Sequence, residues 1–339
     1  MSRGERIAVL GALLCALAQP AAADGDALAR ALAVPIADMH MHLTGRSPAF
    51  YREQMARNNV RWAGAVGGGL TDDAEYVAAQ LGPAYVLALG QLEFTRTFLQ
   101  RGPAGLTDPL LYDFARLFER AEKLLAAGKA RGFGELHVDN ARSAGPGNDR
   151  FARRVPLDNP VMRRIYTIAD RHDAFVQIHL EGTPEALTQL AVLAREFPRA
   201  TTVLSHCLPW SRIDALRRLF DEHPNVMCEL SATGPVHRIA RVYDAERVRP
   251  EFLALIEDHP DRFMLGTDPC CGLEHRYDEM IEEARRYLLA RLAPDTLEKV
   301  AYRNALRLLR LAPAASGAAV RSGRFPPDNP APAGFPARP

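Results

Sequence analysis

The stretch Val34-Pro-Ile-Ala-Asp-Met-His-Met-His-Leu43 is an apolar run that ends in two histidines spaced two apart, His40 and His42. On a β-strand, residues two apart face the same side, so both imidazoles project together, as two ligands of one metal ion would. Histidines that merely alternate along a strand have the same spacing. The meaning of the pair therefore depends on what the rest of the chain places beside it.

Downstream, apolar runs at residues 60–66, 84–91, 132–139, 175–180, 201–206, 225–230 and 262–268 read as seven further strands. Amphipathic helices separate them. Ser47 with Pro48, and Thr183 with Pro184, are cap-then-proline starts, and Thr71 opens a short helix to about residue 81. Asp108-Pro109 is expected to open a helix whose apolar stripe includes Leu110, Leu111, Phe114, Leu117, Phe118 and Ala121. Further helices are expected over 159–171, after Ser211 as a cap with Asp214 three residues later, and over 277–292 and 295–309. Eight strands alternating with helices predict an α/β fold, a (β/α)8 TIM barrel. A doubly wound open sheet is the alternative, but no glycine-rich phosphate loop follows the first strand.

With 42 basic and 41 acidic residues among 339, the chain has no bias towards nucleic acid or a membrane surface, so a small molecule is the expected partner. Residues 1–23 read as a signal peptide: Arg3 and Arg6 precede an apolar run at 7–18, and Pro20-Ala-Ala-Ala23 offers small residues for cleavage. That run is shorter than the roughly 20 residues a spanning helix needs, so no stable membrane anchor is expected after cleavage, and the protein is expected to be periplasmic or secreted. The barrel then occupies 24–312, and the Ala, Pro, Gly and Arg residues of 313–339 form a disordered tail. In an oxidising compartment Cys207 and Cys228 can pair, or be small buried apolar residues; the second reading is preferred.

The polar residues that close these apolar strands are His40 and His42, Glu135 and His137, His179, His206 and Asp268. In a barrel they converge on one mouth, where the active sites of this fold sit. Neutral imidazoles and a carboxylate suit a divalent metal, most simply one Zn2+ with a position left open for water. Asp38, one pleat deeper than His40, is a candidate to support a ligand or to pair structurally. Glu229 reads as structural. Arg46, His137, His237 and Arg238 are candidate substrate contacts.

The order H-x-H on strand one, His on five, His on six and Asp on eight resembles the amidohydrolase superfamily. The closing Glu298-Lys-Val-Ala-Tyr-Arg-Asn-Ala-Leu-Arg-Leu-Leu309 is similar to the last helix of its amidohydrolase-related branch, which includes aminocarboxymuconate-semialdehyde decarboxylase. The resemblance spans about residues 34–311 and implies that His40, His42, His179 and Asp268 bind the metal. It also implies that His206 contacts the activated water or the substrate, with Asp268 and His206 as the catalytic pair. Binuclear members often carry a lysine on strand four. This chain offers Glu135 there, which can bridge a second ion, bind substrate or orient a ligand; one ion is the favoured reading.

The implied activity is hydrolysis of a C–N, ester or lactone bond. Decarboxylation of an unsaturated or aromatic acid is the runner-up, and a periplasmic binding protein without catalysis is a third reading. A homodimer is a common assembly among such relatives.

Overall fold

The structure, a computed structural model, describes residues 25–311 apart from 44–45, 65, 67–73, 143–151, 209–210, 238–241, 245–246 and 271. The expected signal peptide, the C-terminal tail, the Thr71 cap and Arg238 lie outside the described residues.

The strands run in chain order as β1 (Ile36–Asp38), β2 (Val60–Gly64), β3 (Tyr85–Val86), β4 (Ala88–Gly90), β5 (Gly132–His137), β6 (Phe175–His179), β7 (Thr201–Leu204) and β8 (Val226–Glu229). A small antiparallel pair, β9 (Tyr243–Asp244) and β10 (Arg247–Val248), precedes the last, β11 (Phe263–Met264). Parallel pairing gives the orders β1-β2-β3 and β4-β5-β6-β7-β8-β11. Because β3 and β4 are halves of one strand parted at Leu87, the two sheets are continuous through the chain. The ring closes where Met39 N–H donates to Leu265 O at 3.0 Å and Asp268 N–H donates to His40 O at 2.8 Å. The barrel expected from the strand-helix alternation is the fold.

An inner cluster of Ala37, Met39, Trp62, Phe175, Val203, Met227 and Met264 fills the barrel, and Ala305, Leu306 and Leu309 of the last helix seal its base. That helix is fixed by buried Asn304, whose Nδ2 donates to Pro260 O and Phe263 O, both at 2.8 Å. With the base plugged, the polar strand ends occupy the opposite mouth.

Several local expectations differ from the structure. A helix over Gln91–Gly105, which the sequence reading left unassigned, buries Phe94 and Phe98. Its β-branched Thr95 and Thr97 and the Gly102-Pro103 kink obscure the helical period. The following helix begins at Tyr112 instead of Asp108, whose Oδ1 caps a turn by accepting from Leu110 N–H at 3.0 Å. Leu110 is consequently 87% exposed and not part of the stripe. Ser211 does not cap its helix; Arg212 stands at that position and makes no side-chain capping bond. Cys207 and Cys228 are joined as a disulfide across β7 and β8, with Cα atoms 4.7 Å apart, so the buried-thiol reading is corrected.

Asp38 ties the first strand to the last. Its Oδ1 accepts from His40 N–H and Thr267 N–H, each at 3.0 Å, and its Oδ2 accepts from Thr267 Oγ1 at 2.5 Å and Tyr277 OH at 3.0 Å. Removing a carboxylate that serves four buried donors leaves each without a partner, at about 1–3 kcal/mol apiece. Asp38→Ala should therefore lower the unfolding free energy by at least about 3 kcal/mol in urea denaturation; an unchanged midpoint would show that the junction holds without it.

Candidate metal centre

His40 and His42 extend just beyond β1, and their Nε2 atoms face one another at 3.1 Å. Asp268 Oδ1, delivered by the segment after β11, lies 3.6 Å from His40 Nε2 and 3.3 Å from His42 Nε2. It is buried with no hydrogen-bond partner among the described residues. Two nitrogens bound tetrahedrally to one ion at zinc–imidazole distances stand about 3.3 Å apart. Two converging imidazole nitrogens and an orphaned carboxylate oxygen thus fit a divalent cation.

The backbone explains how Asp268 reaches this point. It adopts a left-handed conformation, φ 58°, and its carbonyl accepts from Cys270 N–H at 2.8 Å and from His237 Nε2–H at 2.8 Å. His237 therefore buttresses Asp268 instead of awaiting a substrate carboxylate, because its Nε2 is already engaged. Arg46, the other early candidate, is exposed over the Phe50 ring at 5.6 Å, at the start of the helix over Pro48–Arg57.

Glu135 and His137 both reach the mouth because β5 is bulged. Phe133 pairs with Val176 and Leu136 with Ile178, which places one extra residue on β5 between those pairs. Glu135 is thereby set between two groups. Its Oε2 lies 3.4 Å from His40 Nε2 and 3.8 Å from His42 Nε2, and its Oε1 lies 3.1 Å from His179 Nδ1 and 3.4 Å from His206 Nε2. His179 does not join the tight triad of His40, His42 and Asp268; it groups with Glu135 and with His137, on whose ring it stacks at 5.0 Å. A third such group is His40, His206 and Glu229, and Glu135 reaches from His40 and His42 on one side to His179 and His206 on the other.

The residue that sequence reasoning misjudged is Glu229. It is fully buried, and its Oε1 accepts from His40 Nδ1–H at 2.8 Å, His206 N–H at 2.9 Å and Ser231 Oγ at 2.8 Å, while Oε2 accepts from Ser231 N–H at 2.8 Å. Accepting the hydrogen bond of His40 Nδ1–H holds the tautomer whose Nε2 lone pair faces the triad. Ser231 in turn lies 2.8 Å from His206 Nδ1. The signal available in the sequence was Gly266: a Cβ there would stand 2.2 Å from Glu229 Oε2 and 2.9 Å from His40 Cβ, so only glycine admits this approach.

Burial opposes a charge on His40, yet the carboxylates of Glu229, Glu135 and Asp268 outweigh it and hold its pKa well above the ordinary value. Burial likewise opposes ionisation of Glu135 and Asp268, but the surrounding imidazoles hold both below the usual carboxylate range. In His137 burial dominates and keeps the ring neutral. The cluster carries more carboxylate charge than its neutral imidazoles can balance, and it draws in either protons or a cation.

A sequence model described as amidohydrolase matches residues 37–311. Among solved structures, an uncharacterized TIM-barrel protein from Bordetella bronchiseptica aligns with a TM-score of 0.51 at 16% identity, covering 77% of this chain and 81% of that one. An amidohydrolase from Burkholderia multivorans with bound HEPES gives 0.50 at 18% identity, over 82% of this chain and 100% of that one. A probable 2-pyrone-4,6-dicarboxylic acid hydrolase from Acinetobacter baumannii with citric acid bound gives 0.53 at 12%, over 81% and 99%. At these identities the likeness is one of fold. No curated protein matches the chain.

Two outcomes follow from the geometry. Glu229→Gln should weaken divalent-metal affinity by about 10–100-fold in a chelator-competition titration, since it disturbs the orientation of His40; unchanged affinity would remove Glu229 from the site. Because the folded pKa of His40 exceeds its unfolded value of 6.5, its ion pairing stabilises the metal-free protein fully below about pH 6.5 and is lost as pH rises through the folded value. Glu135 and Asp268 act in the opposite sense, and only at acid pH. The melting temperature of metal-free protein should therefore fall as pH rises from about 6.5 through the raised folded value, while that of zinc-loaded protein should hold, because the ion replaces the proton.

Proposed function

Because this chain belongs to the amidohydrolase family, whose members are metal-dependent enzymes, we propose that it is a hydrolase acting on a C–N, ester or lactone bond of a small molecule. The observation that carries this reading is the convergence of His40 Nε2, His42 Nε2 and the unpartnered Asp268 Oδ1, with His206 facing them across Glu135. The donor set of imidazoles and carboxylates suits zinc. A bound divalent ion would supply Lewis acidity and lower the pKa of a water at the mouth.

The chain's own residues do the rest. Asp268, held ionised by His40, His42 and His206 against its burial, accepts the proton of the attacking water and returns it to the leaving group. His206, whose pKa Glu135 and Glu229 raise against burial, offers Nε2–H to the carbonyl oxygen as negative charge develops. His237 holds the Asp268 backbone in place. We assign the protein to the periplasm or the exterior of the cell, a reading that rests on residues 1–23 and is supported by the Cys207–Cys228 disulfide.

One specific observation favours a second reading of the metal count. Glu135 presents Oε2 to His40 and His42, and Oε1 to His179 and His206, so it is placed to bridge two ions. Elemental analysis of purified protein should return about one equivalent of metal, and two would make Glu135 a bridge. Asp268→Asn should retain metal at least in part and lose about 10²–10⁴-fold in turnover across a panel of lactones, esters and amides. Carbon dioxide release from a carboxylic acid would replace hydrolysis by decarboxylation.

A further inference from the structure

Two arginines follow each other beside the end of β5, and the structure treats them oppositely. Arg154 has a side chain 57% exposed and is fully paired, its Nε donating to Asp139 Oδ2 at 2.9 Å with Glu181 Oε2 3.6 Å from Nη2. Arg153 is 4% exposed, and its Nε and Nη1 are buried without a hydrogen-bond partner among the described residues. A buried cation left unpaired is costly, whereas a paired surface cation contributes little.

Arg153 is held in this position by its surroundings. Its N–H donates to Asn140 Oδ1 at 2.9 Å and its carbonyl accepts from Asn140 N–H at 3.1 Å, while Val155 N–H donates to Val138 O at 3.0 Å. These bonds lay residues 153–155 against the three residues that follow His137. The guanidinium carbon sits 4.4 Å from the centroid of the Phe98 ring, which fixes the plane of the group and leaves Nε–H and Nη1–H unspent. Beside it, His137 Nδ1 is also buried and unpartnered, on a side chain 21% exposed towards the mouth. Burial lowers the Arg153 pKa to about 10, with Glu135 opposing, so the group is a full cation at neutral pH.

We propose that Arg153, assisted by His137, is the anchor for a carboxylate carried by the substrate, so that the enzyme acts on an acidic small molecule whose anionic end lies on Arg153 while its reactive end lies at the metal centre. This rests on the metal-dependent reading of the site. Nε–H and Nη1–H can each donate to a carboxylate oxygen, and bound substrate would bring an anion to within ion-pair distance of the guanidinium, where Glu135 acts only from further off. The fixed, desolvated setting makes the contact selective, since a neutral analogue would leave the cation unpaired.

The test uses the zinc-loaded full chain and α,ω-dicarboxylates from malonate to adipate, each compared by calorimetry with the monocarboxylate of the same length. At least one dicarboxylate should bind about tenfold or more tighter than its monocarboxylate partner. In Arg153→Met, at equal metal content, that advantage should collapse towards one while monocarboxylate affinity stays unchanged. The variant's melting temperature should be equal or higher, because a buried unpaired charge has been removed. Arg153→Lys, which keeps the charge but loses the fork, should fall between the two. A dicarboxylate preference that survives Arg153→Met, or a large loss of stability with no change in preference, would overturn the proposal. Failure of the metal reading shows separately, as a protein without bound ion whose dicarboxylate affinity still depends on Arg153.

Discussion

The carboxylate of Asp38 binds the N–H groups of both His40 and Thr267, and through them it joins the first strand of the barrel to the last. The residues that follow at those two places are His42 and Asp268. The triad therefore inherits its spacing from the closure of the ring, and the closure depends on a buried anion whose four donors come from His40, Thr267 and Tyr277. A barrel that failed to close there would carry the same ligands on separate edges. The hydrophobic plug below, sealed by the last helix through Asn304, leaves the polar groups a single place to gather.

Charge compensation governs the mouth itself. Glu135, Glu229 and Asp268 are all buried, and none has a lysine or arginine within ion-pair distance among the described residues. Their partners are imidazoles, which are neutral when they ligate a metal and cationic when they do not. Each carboxylate does a different task. Glu229 accepts the hydrogen bond of His40 Nδ1–H and fixes the tautomer, Glu135 stands between two histidine groups, and Asp268 keeps an oxygen free. The Cys207–Cys228 disulfide lies next to His206 and Glu229 in sequence and ties β7 to β8 where these two residues leave their strands. Arg153 extends the pattern with opposite sign: it is a fixed, buried cation with no carboxylate within ion-pair distance among the described residues, next to a site rich in carboxylate.

Much of this was legible from local pattern. Strand-helix alternation, cap-then-proline starts at Ser47 and Thr183, and the polar residues ending apolar strands are all read within a few residues. The expectations that differ from the structure concern balances between local preferences. The helix over Gln91–Gly105 forms despite β-branched threonines because Phe94 and Phe98 gain burial, and Leu110 sits on an exposed turn because Asp108 bonds its N–H.

Sequence alone determined the ligand types, their order along the chain and their location at strand ends, because periods of 2 and 3.6 residues decide which side chains share a face. It could not determine which ligands group together. The bulge in β5 that puts Glu135 between His40 and His179 is a matter of register between two strands. The bond from His40 to Glu229 spans 189 residues, and no local pattern encodes it. Nor could the sequence tell Arg153 from Arg154: only packing against Phe98 and Asn140 buries one and leaves the other in solvent.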